Sequence, residues 1–247
     1  PVGGKMRTVV VHGFDKEGVT LISPTDPGFD ACVDVLAPPG WAEMLKNSKP
    51  WIAALSNQTS KKIVAFTPAF RLERGDEGTE THSGYYVAPD AIGDSGLDFG
   101  HRSNRAVLPR NQRLFGSDFA IPEYEPQFRQ SEPGWDQKRI WDWVITQTGE
   151  WIENTKRNYA GVTRVTIELD AVLFEDGSMI GPDNHNLGPH FSTLVRSRQD
   201  HYKNIVGRIE RGESVDQAFQ SAAAVLAAKT PPAGGFLVRS EFIRHDA

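Results

Sequence analysis

The chain has almost no cysteine and no long apolar run, and both absences limit the classes of protein it can belong to. Cys32 is the single cysteine among 247 residues, which excludes an internal disulfide and a zinc site built from several thiolates. We expect Cys32 to be a small buried residue rather than a nucleophile, because nothing near it marks an activating site. No run approaches the roughly 18 consecutive apolar residues that span a bilayer, so the sequence predicts no transmembrane segment.

The chain also lacks an excess of positive charge. Its 27 Lys and Arg residues are outnumbered by 32 Asp and Glu residues, for a net charge of -5. The basic residues are scattered and form no block that could follow a phosphate backbone. We therefore expect no nucleic-acid partner.

The motifs of common enzyme classes are missing as well. The sequence contains no phosphate-binding loop and no glycine-rich dinucleotide fingerprint. Gly93-Asp94-Ser95-Gly96 comes nearest to a nucleophile elbow, but that motif needs a strand and a helix around it, and this segment reads as a loop. The sequence predicts no catalytic residues, no cofactor and no metal site, and it favours a protein that is not an enzyme.

What the sequence does contain is a series of short β-strands before residue 181. Two apolar runs within Trp51–Leu72 flank a polar cluster at Asn57–Lys62, which is typical of an antiparallel hairpin. Arg7–His12 and Val19–Ile22 predict a second hairpin, turning at Asp15–Gly18. Further strands are predicted at Phe29–Leu36, Thr79–Val87 and Arg113–Phe119, and one or two helical turns at Trp41–Lys46.

The clearest predicted strand is Val162–Phe174. Val165, Ile167, Leu169, Ala171 and Leu173 share one of its sides, while its other side is polar up to Asp170 and then apolar at Val172 and Phe174. We interpret this switch as a second half covered by a helix. The tight turn at Asp176-Gly177 then leads into a returning strand through Met179 and Ile180.

The pattern becomes helical after residue 183. Phe191, Leu194, Val195, Tyr202, Ile205, Val206 and Ile209 follow helical spacing, with Pro189 in the first turn and Gly212 beyond the end. A second helix is predicted from Ser214, with Gln217 completing a capping box, to Lys229. We expect the stripe Phe191, Leu194, Val195, Tyr202 and Ile205 to cover Val172 and Phe174. Phe236–Ile243 is either a final strand or an ordered tail.

Residues 137–159 are ambiguous between a helix, which the spacing of their apolar residues favours, and a pair of strands turning near Gly149. This segment is rich in tryptophan. Trp135, Trp141, Trp143 and Trp151 crowd into seventeen residues, and such rings either pack in a core or stack on a sugar, another ligand or a protein. These four residues are the predicted binding site.

Two groups of polar residues are weaker candidates. Glu168 and Asp170 project from one side of a strand and would suit acid/base chemistry or a divalent cation, although solvated strand faces often look like this. Asp183, His185 and His190 surround the start of the first C-terminal helix. Their spacing matches no zinc pattern, so we expect Asp183 or Asn186 to be a turn or capping residue and both histidines to be exposed.

The segments LSNQTSKKIVAF and VTIELDAVLFEDGSMIGPDN resemble uncharacterised bacterial, exported proteins with an immunoglobulin-like β-sandwich. The resemblance covers about half of the chain. It implies a sandwich fold and an extracytoplasmic location, periplasmic or secreted, but no activity and no site residue.

Together these features predict a mainly β, α+β fold. Residues 1–183 would form an antiparallel immunoglobulin-like β-sandwich that includes the Trp-rich segment, and residues 184–247 would supply two α-helices packed against it within the same domain. The favoured function is a non-enzymatic binding or scaffolding protein of the bacterial envelope or exterior, with a protein or glycan ligand. The alternatives are a carbohydrate-binding module that uses the exposed Trp residues and a hydrolase that uses Glu168 and Asp170.

Overall fold

The computed structural model describes most of the chain from residue 8 to residue 229. The described residues are 8–37, 41–47, 49–75, 78–88, 106–116, 160–229 and, between these ranges, 136, 138, 139, 142, 146, 149, 150, 153 and 157. The predicted terminal strand or tail, Phe236–Ile243, lies outside this part of the chain. Among the described residues, no helix is both long enough and apolar enough to cross a membrane.

In the described part of the chain the fold is α+β, with nine strands in two sheets. The strands are β1 (Thr8–His12), β2 (Val19–Ile22), β3 (Ile52–Asn57), β4 (Ile63–Glu73), β5 (Thr79–Ser83), β6 (Tyr86–Val87), β7 (Gln112–Gly116), β8 (Arg164–Phe174) and β9 (Met179–Ile180). The larger sheet has the order β1-β8-β4-β5, with β6 paired to β4 and β9 paired to β8. The smaller sheet has the order β2-β3-β7.

The helices are α1 (Phe29–Leu36), α2 (Ala42–Lys46), α3 (Leu187–Glu210) and α4 (Val215–Lys229). The predicted strand at Phe29–Leu36 is therefore wrong. Phe29, Cys32 and Val33 are buried at intervals of three and four residues, which is the period of a helix lying with one face on the core. The two C-terminal helices and the short helix after Trp41 are confirmed.

The other strand predictions are correct in position where the structure describes the residues, but several of their pairings are wrong. β3 and β4 do not form a hairpin, because β3 pairs with β2 and β7 in the smaller sheet while β4 pairs with β8, β5 and β6 in the larger one. β1 and β2 are also in different sheets, and β1 runs parallel to β8. The larger sheet is thus mixed rather than wholly antiparallel. The predicted return of β8 through β9 is confirmed.

Asn57 explains how the chain crosses from one sheet to the other. Its side chain is fully buried, and its Nδ2 donates to the carbonyl oxygens of Lys61, at 2.8 Å, and Val107, at 3.0 Å. Its Oδ1 accepts from the backbone N–H of Thr59 at 3.1 Å and from the Thr59 hydroxyl at 2.7 Å. A buried amide satisfied on both sides fixes this connection as a crossover. It also leaves Asn57 inaccessible in the folded chain, although Asn57-Gln58-Thr59 matches the glycosylation sequon.

One hydrophobic core lies between the two sheets. The Phe115 ring of β7 meets Phe66 and Phe70 of β4 edge to face, with centroids 5.7 Å and 5.9 Å apart. Trp41 and Trp51 are buried in the same core. Aromatic rings that meet in this geometry add about 0.5 to 1.5 kcal/mol each beyond the burial of their area. The two sheets are therefore layers over a shared core.

A β-bulge at Asp170 changes which side of β8 each residue faces. Thr67 pairs with Ala171 and Pro68 with Leu169, so Asp170 has no partner in the ladder. An extra residue reverses the alternation beyond it. Val165, Ile167 and Leu169 consequently share the inter-sheet core with Val172 and Phe174.

The helix covers the opposite side of the strand. Leu187 is buried in a second cluster with Ala171 and Leu173, and Phe191 packs against that cluster. The predicted contact of α3 with Val172 and Phe174 is therefore wrong. The change from polar to apolar residues after Asp170 is therefore explained by the bulge, and not by a helix that covers one half of a regular strand.

Candidate functional site

The four tryptophans predicted to bind a ligand, Trp135, Trp141, Trp143 and Trp151, lie outside the described residues. Their described neighbours at 138, 139, 142, 146, 149, 150, 153 and 157 have helical backbone. Lys138 Nζ lies 2.7 Å from Asp142 Oδ2 four residues along, and Thr146 donates to the Asp142 carbonyl oxygen. These local contacts agree with the helical interpretation of this segment and exclude strand structure at the described positions.

Glu168 and Asp170, the carboxylates of the hydrolase alternative, have different environments. Glu168 lies 3.7 Å from Arg71 on the neighbouring strand, and its side chain is about one-third exposed. Asp170 is buried and turned into the loop before α3. Its Oδ1 accepts from the Asn184 N–H at 3.1 Å and its Oδ2 from the His185 N–H at 3.0 Å.

The Asp170 carboxylate thus holds the loop in place. The His185 ring also approaches it, with Nδ1 3.1 Å from Asp170 Oδ2, although Nδ1 makes no hydrogen bond. With both oxygens facing this loop, Asp170 is not presented to a substrate alongside Glu168.

Asp183 is the capping residue predicted for this loop. Its Oδ1 accepts from the Leu187 N–H and its Oδ2 from the Gly188 N–H, the latter at 3.2 Å, which satisfies donors of the first turn of α3. The acidic side chain also lies at the positive end of the helix dipole. Asp183 therefore has a structural role at the start of α3.

The prediction that both histidines are exposed is wrong. His185 is largely buried beside Asp170, and His190 stacks on Tyr85 with ring centroids 4.1 Å apart and planes 11° apart. The Tyr85 hydroxyl donates to the His185 carbonyl oxygen. Within the described ranges, no three His, Cys, Asp or Glu side chains are grouped so that they could hold a metal ion.

Cys32 is confirmed as a buried free thiol. Its Sγ donates to Gln112 Oε1 at 3.4 Å, and burial raises the pKa of the thiol above its ordinary value. A raised pKa keeps the group in the unreactive thiol form near neutral pH. This environment is the opposite of the one that activates a nucleophile.

A surface of large apolar side chains on α3 and α4 was missed by the sequence reasoning. Eight large hydrophobic residues are exposed in the described part of the chain, and five of them lie on these two helices. The five, which we call the hairpin face, are exposed by 36% to 55%: Tyr202, Val206, Ile209, Val215 and Phe219. Exposed apolar side chains commonly mark interaction sites where they form a contiguous patch.

The two helices that carry the hairpin face pack against each other. Ile205 of α3 is buried between the helices with Ala218 and Ala222 of α4. Around the axis of α3, the exposed side chains lie about 40° to 100° from Ile205; they are Tyr202, Val206 and Ile209. Around the axis of α4, Val215 and Phe219 lie about 60° to 100° from Ala218, in the same direction of rotation. The exposed apolar side chains therefore lie at a similar angle from the contact between the helices on both α3 and α4.

Hydrogen bonds, an ion pair and a small buried cluster stabilise the α3–α4 hairpin. Ser214 and Gln217 exchange reciprocal bonds at the start of α4, at 3.2 Å and 3.3 Å, which confirms the predicted capping box. Arg208 of α3 lies 3.2 Å from Glu213 in the connection. The cluster of Ile205, Ala218 and Ala222 is separate from the two clusters of the sheets. The apolar face is therefore carried on a unit with its own small core.

The sequence does contain a signal for this face. The apolar residues in the second half of α3 cover a wider arc of the helix than contact with one neighbouring helix can bury; they are Tyr202, Ile205, Val206 and Ile209. The sequence analysis placed Tyr202 and Ile205 in the same core-facing stripe. Only Leu187 and Ile205 are buried on α3. The width of the apolar arc is thus the signal in the sequence that some of these residues stay exposed.

Comparison of the chain with known protein families, with curated proteins and with solved structures found no match.

Proposed function

We propose that this protein is a non-enzymatic binding protein that holds an apolar segment of a protein partner on the hairpin face. The observation that carries the proposal is the exposure of five large hydrophobic side chains on two helices that pack against each other. Packed helices that expose apolar side chains are one of the surfaces on which proteins bind the apolar face of an amphipathic segment.

The chemistry of the candidate polar sites supports a binding role over catalysis. Asp170 is occupied by backbone donors of the loop before α3, and Cys32 is buried with a raised thiol pKa. These backbone bonds to Asp170 are an argument against the hydrolase alternative, which needs Asp170 together with Glu168. The carbohydrate-binding alternative depends on Trp135, Trp141, Trp143 and Trp151 and remains a separate proposal.

The immunoglobulin-like character of the sandwich and the extracytoplasmic location are part of the same proposal. They rest on the resemblance of LSNQTSKKIVAF and VTIELDAVLFEDGSMIGPDN to exported bacterial proteins. Two sheets over a shared core are compatible with it, whereas the parallel pairing of β1 with β8 departs from a wholly antiparallel sandwich.

Peptide selection tests the proposed function. Random peptides displayed on phage are selected on the immobilised full chain, and the selected peptides are expected to carry apolar residues three or four positions apart. Their binding should fall at least about tenfold, or about 1.4 kcal/mol, in Val206→Asp and in Phe219→Asp. Leu108→Asp is the matched control, because Leu108 is as exposed as Val206 and lies away from the hairpin. Peptides that bind all three variants equally would contradict the proposal.

Tryptophan fluorescence distinguishes the carbohydrate-binding alternative from binding of a protein segment. Titration of the full chain with a set of polysaccharides should leave the emission unchanged if the ligand is a protein segment. A saturable shift that survives Val206→Asp would instead favour sugar stacking on the Trp-rich segment.

A further inference from the structure

We propose that the partner held on the hairpin face is a second copy of this chain, so that two molecules form a symmetric dimer in which their α3 helices run antiparallel. This proposal rests on the proposed function, since it names the partner of the same face. Two features of the described residues carry it: the charges that border the exposed apolar side chains of α3, and the apolar area of the hairpin face.

The exposed apolar side chains of α3 form a stripe along one side of the helix. Tyr202, Val206 and Ile209 are exposed, and they follow one another at intervals of four and three residues. These intervals place successive side chains about one turn apart on the same side of a helix. The same alternation of four and three is the spacing with which helices pack along one another in coiled coils. The stripe therefore suits contact with another helix over about two turns.

One residue of each charge borders this stripe on the same flank. Lys203 and Glu210 are both exposed, and helical geometry places them about 60° and 40° around the axis from Val206, in the same direction. They are about 10 Å apart along the axis, so they do not pair with each other within one helix. Lys203 Nζ lies 4.0 Å from Asp200 Oδ1, and an exposed pair at this distance binds weakly.

A second copy related by a two-fold axis close to Val206 pairs these charges. Lys203 comes three residues before Val206 and Glu210 four residues after it. When two α3 helices cross antiparallel at Val206, Lys203 of each copy therefore lies beside Glu210 of the other. A parallel arrangement would instead bring each charge against the same charge of the other copy, which is unfavourable. The patch thus complements itself, as the contact of a two-fold dimer requires.

The apolar area of the hairpin face fits a dimer of ordinary size. A stable contact between two proteins buries about 800 Å² on each partner, and somewhat more than half of this area is apolar. The five side chains of the hairpin face are exposed by 36% to 55%. For large side chains of roughly 150 to 200 Å², this exposure leaves about 400 Å² of apolar area on each copy. The face therefore supplies most of the apolar area that such a contact needs.

Charge reversal in the full chain tests the antiparallel dimer. Lys203→Glu makes both members of each reciprocal pair negative, and Glu210→Lys makes both positive. Each variant alone should dimerise at least about tenfold more weakly than the parent, because two attractive pairs become repulsive. An equimolar mixture of the two variants should recover the parental dissociation constant to within about threefold, because opposite charges then face each other in the mixed dimer. Sedimentation velocity over a range of protein concentrations measures these constants.

Two further pairs of variants complete the experiment. Lys16→Glu and Glu17→Lys make the same changes of charge at exposed residues outside α3 and α4, and both should dimerise as the parent does. Val206→Asp should weaken the dimer more than about tenfold, whereas Leu108→Asp should not. A parent chain that stays monomeric would overturn the proposal. It would also be overturned by a dimer that survives Val206→Asp, or by charge variants that associate no better mixed than alone.

The two proposals fail separately in these experiments. If the parent is monomeric but selected peptides still require Val206 and Phe219, the face binds another protein and the second copy is excluded as its partner. If Lys203→Glu and Glu210→Lys dimerise only when mixed, but no selected peptide binds the monomeric Lys203→Glu chain through the face, the dimer is confirmed and a role in holding other proteins is not.

Discussion

Asp170 is the single residue that connects the bulge of β8 to the start of α3. Its buried carboxylate accepts from two backbone N–H groups of the following loop, and both donors would be orphaned without it. A buried backbone donor left without a partner costs about 1 to 3 kcal/mol. Asp170 therefore matters for the position of the helix, whatever the protein binds.

Asp170→Ala should lower the free energy of unfolding by about 2 to 4 kcal/mol, because it removes the acceptors of both loop donors. Equilibrium unfolding in urea measures the change. Glu168→Ala is the matched control, since this neighbouring carboxylate is partly exposed and makes one long ion pair, and its effect should stay within about 1 kcal/mol. Equal losses in the two variants would show that the loop does not depend on Asp170.

Gly181 is required by the close packing of the same loop against β8. Its φ is 100°, and a methyl group on it would overlap the Asp170 carbonyl oxygen and lie 2.5 Å from Phe14 Cζ and 3.0 Å from Ala171 Cα. Gly177 also has positive φ, at 80°, but a methyl group there would meet nothing within 4 Å. Alanine at Gly177 would therefore cost backbone strain alone, whereas alanine at Gly181 would cost backbone strain and steric overlap.

Gly177→Ala should cost about 1 kcal/mol, the strain of a side chain at positive φ. Gly181→Ala should cost at least about 2 kcal/mol more, because backbone atoms cannot move aside. Thermal unfolding followed by circular dichroism gives both values. A Gly181→Ala protein that is as stable as Gly177→Ala would mean that the loop does not approach β8 as described.

At the scale of elements, the α3–α4 hairpin behaves as a unit with its own small core. Ile205 is buried with Ala218 and Ala222, and this cluster is separate from those of the sheets. Helices that pack mainly against each other can open without disturbing the rest of a fold. The first turns of α3 are the exception, since Leu187 and Phe191 lie on the larger sheet.

Ile205→Ala should destabilise the hairpin by about 2 to 4 kcal/mol while leaving the sheets intact. Hydrogen exchange resolved along the chain should speed up in α4 and in the second half of α3, but not in β4 and β8. Val206, the residue after Ile205, provides the control. It is half exposed, so Val206→Ala should change the free energy of unfolding by no more than about 0.5 kcal/mol. Faster exchange in β4 would show that the hairpin and the sheets unfold together.

At the scale of the whole molecule, stability depends on the core between the two sheets. Phe115 joins them, because it lies on β7 and meets two rings of β4. Phe174 is 4% exposed in the same core, so an aspartate at that position would bury an unpaired charge between the sheets. Both positions test whether the sheets form one cooperative body.

Phe115→Ala should reduce the free energy of unfolding by about 3 to 5 kcal/mol, through lost burial and the cavity left between the sheets. Urea unfolding followed at two wavelengths would show one transition at a lower midpoint. Leu108→Ala is the control for a residue of similar hydrophobicity outside the core, with an expected change within about 0.5 kcal/mol. Unaltered stability of Phe115→Ala would contradict a shared core.

The local patterns of the sequence determined where strands and helices lie and how the helices begin. The strands β3, β4 and β8, the capping box at Ser214 and the cap at Asp183 follow from short-range periodicity and hydrogen-bonding chemistry that act within a few residues. These features depend little on the rest of the chain. The error at α1 arose because eight residues containing Val33 and Val35 fit either period.

Tertiary structure alone decided which strands pair, which side of β8 the helix covers and which apolar residues stay exposed. β3 and β4 are neighbours in sequence, yet Asn57 holds their connection as a crossover through bonds to residues as distant as Val107. The bulge at Asp170 is visible only in the register of two strands far apart in the chain. Tyr202 and Ile205 share one sequence pattern, but only Ile205 meets α4, because burial depends on a partner surface that no local pattern contains.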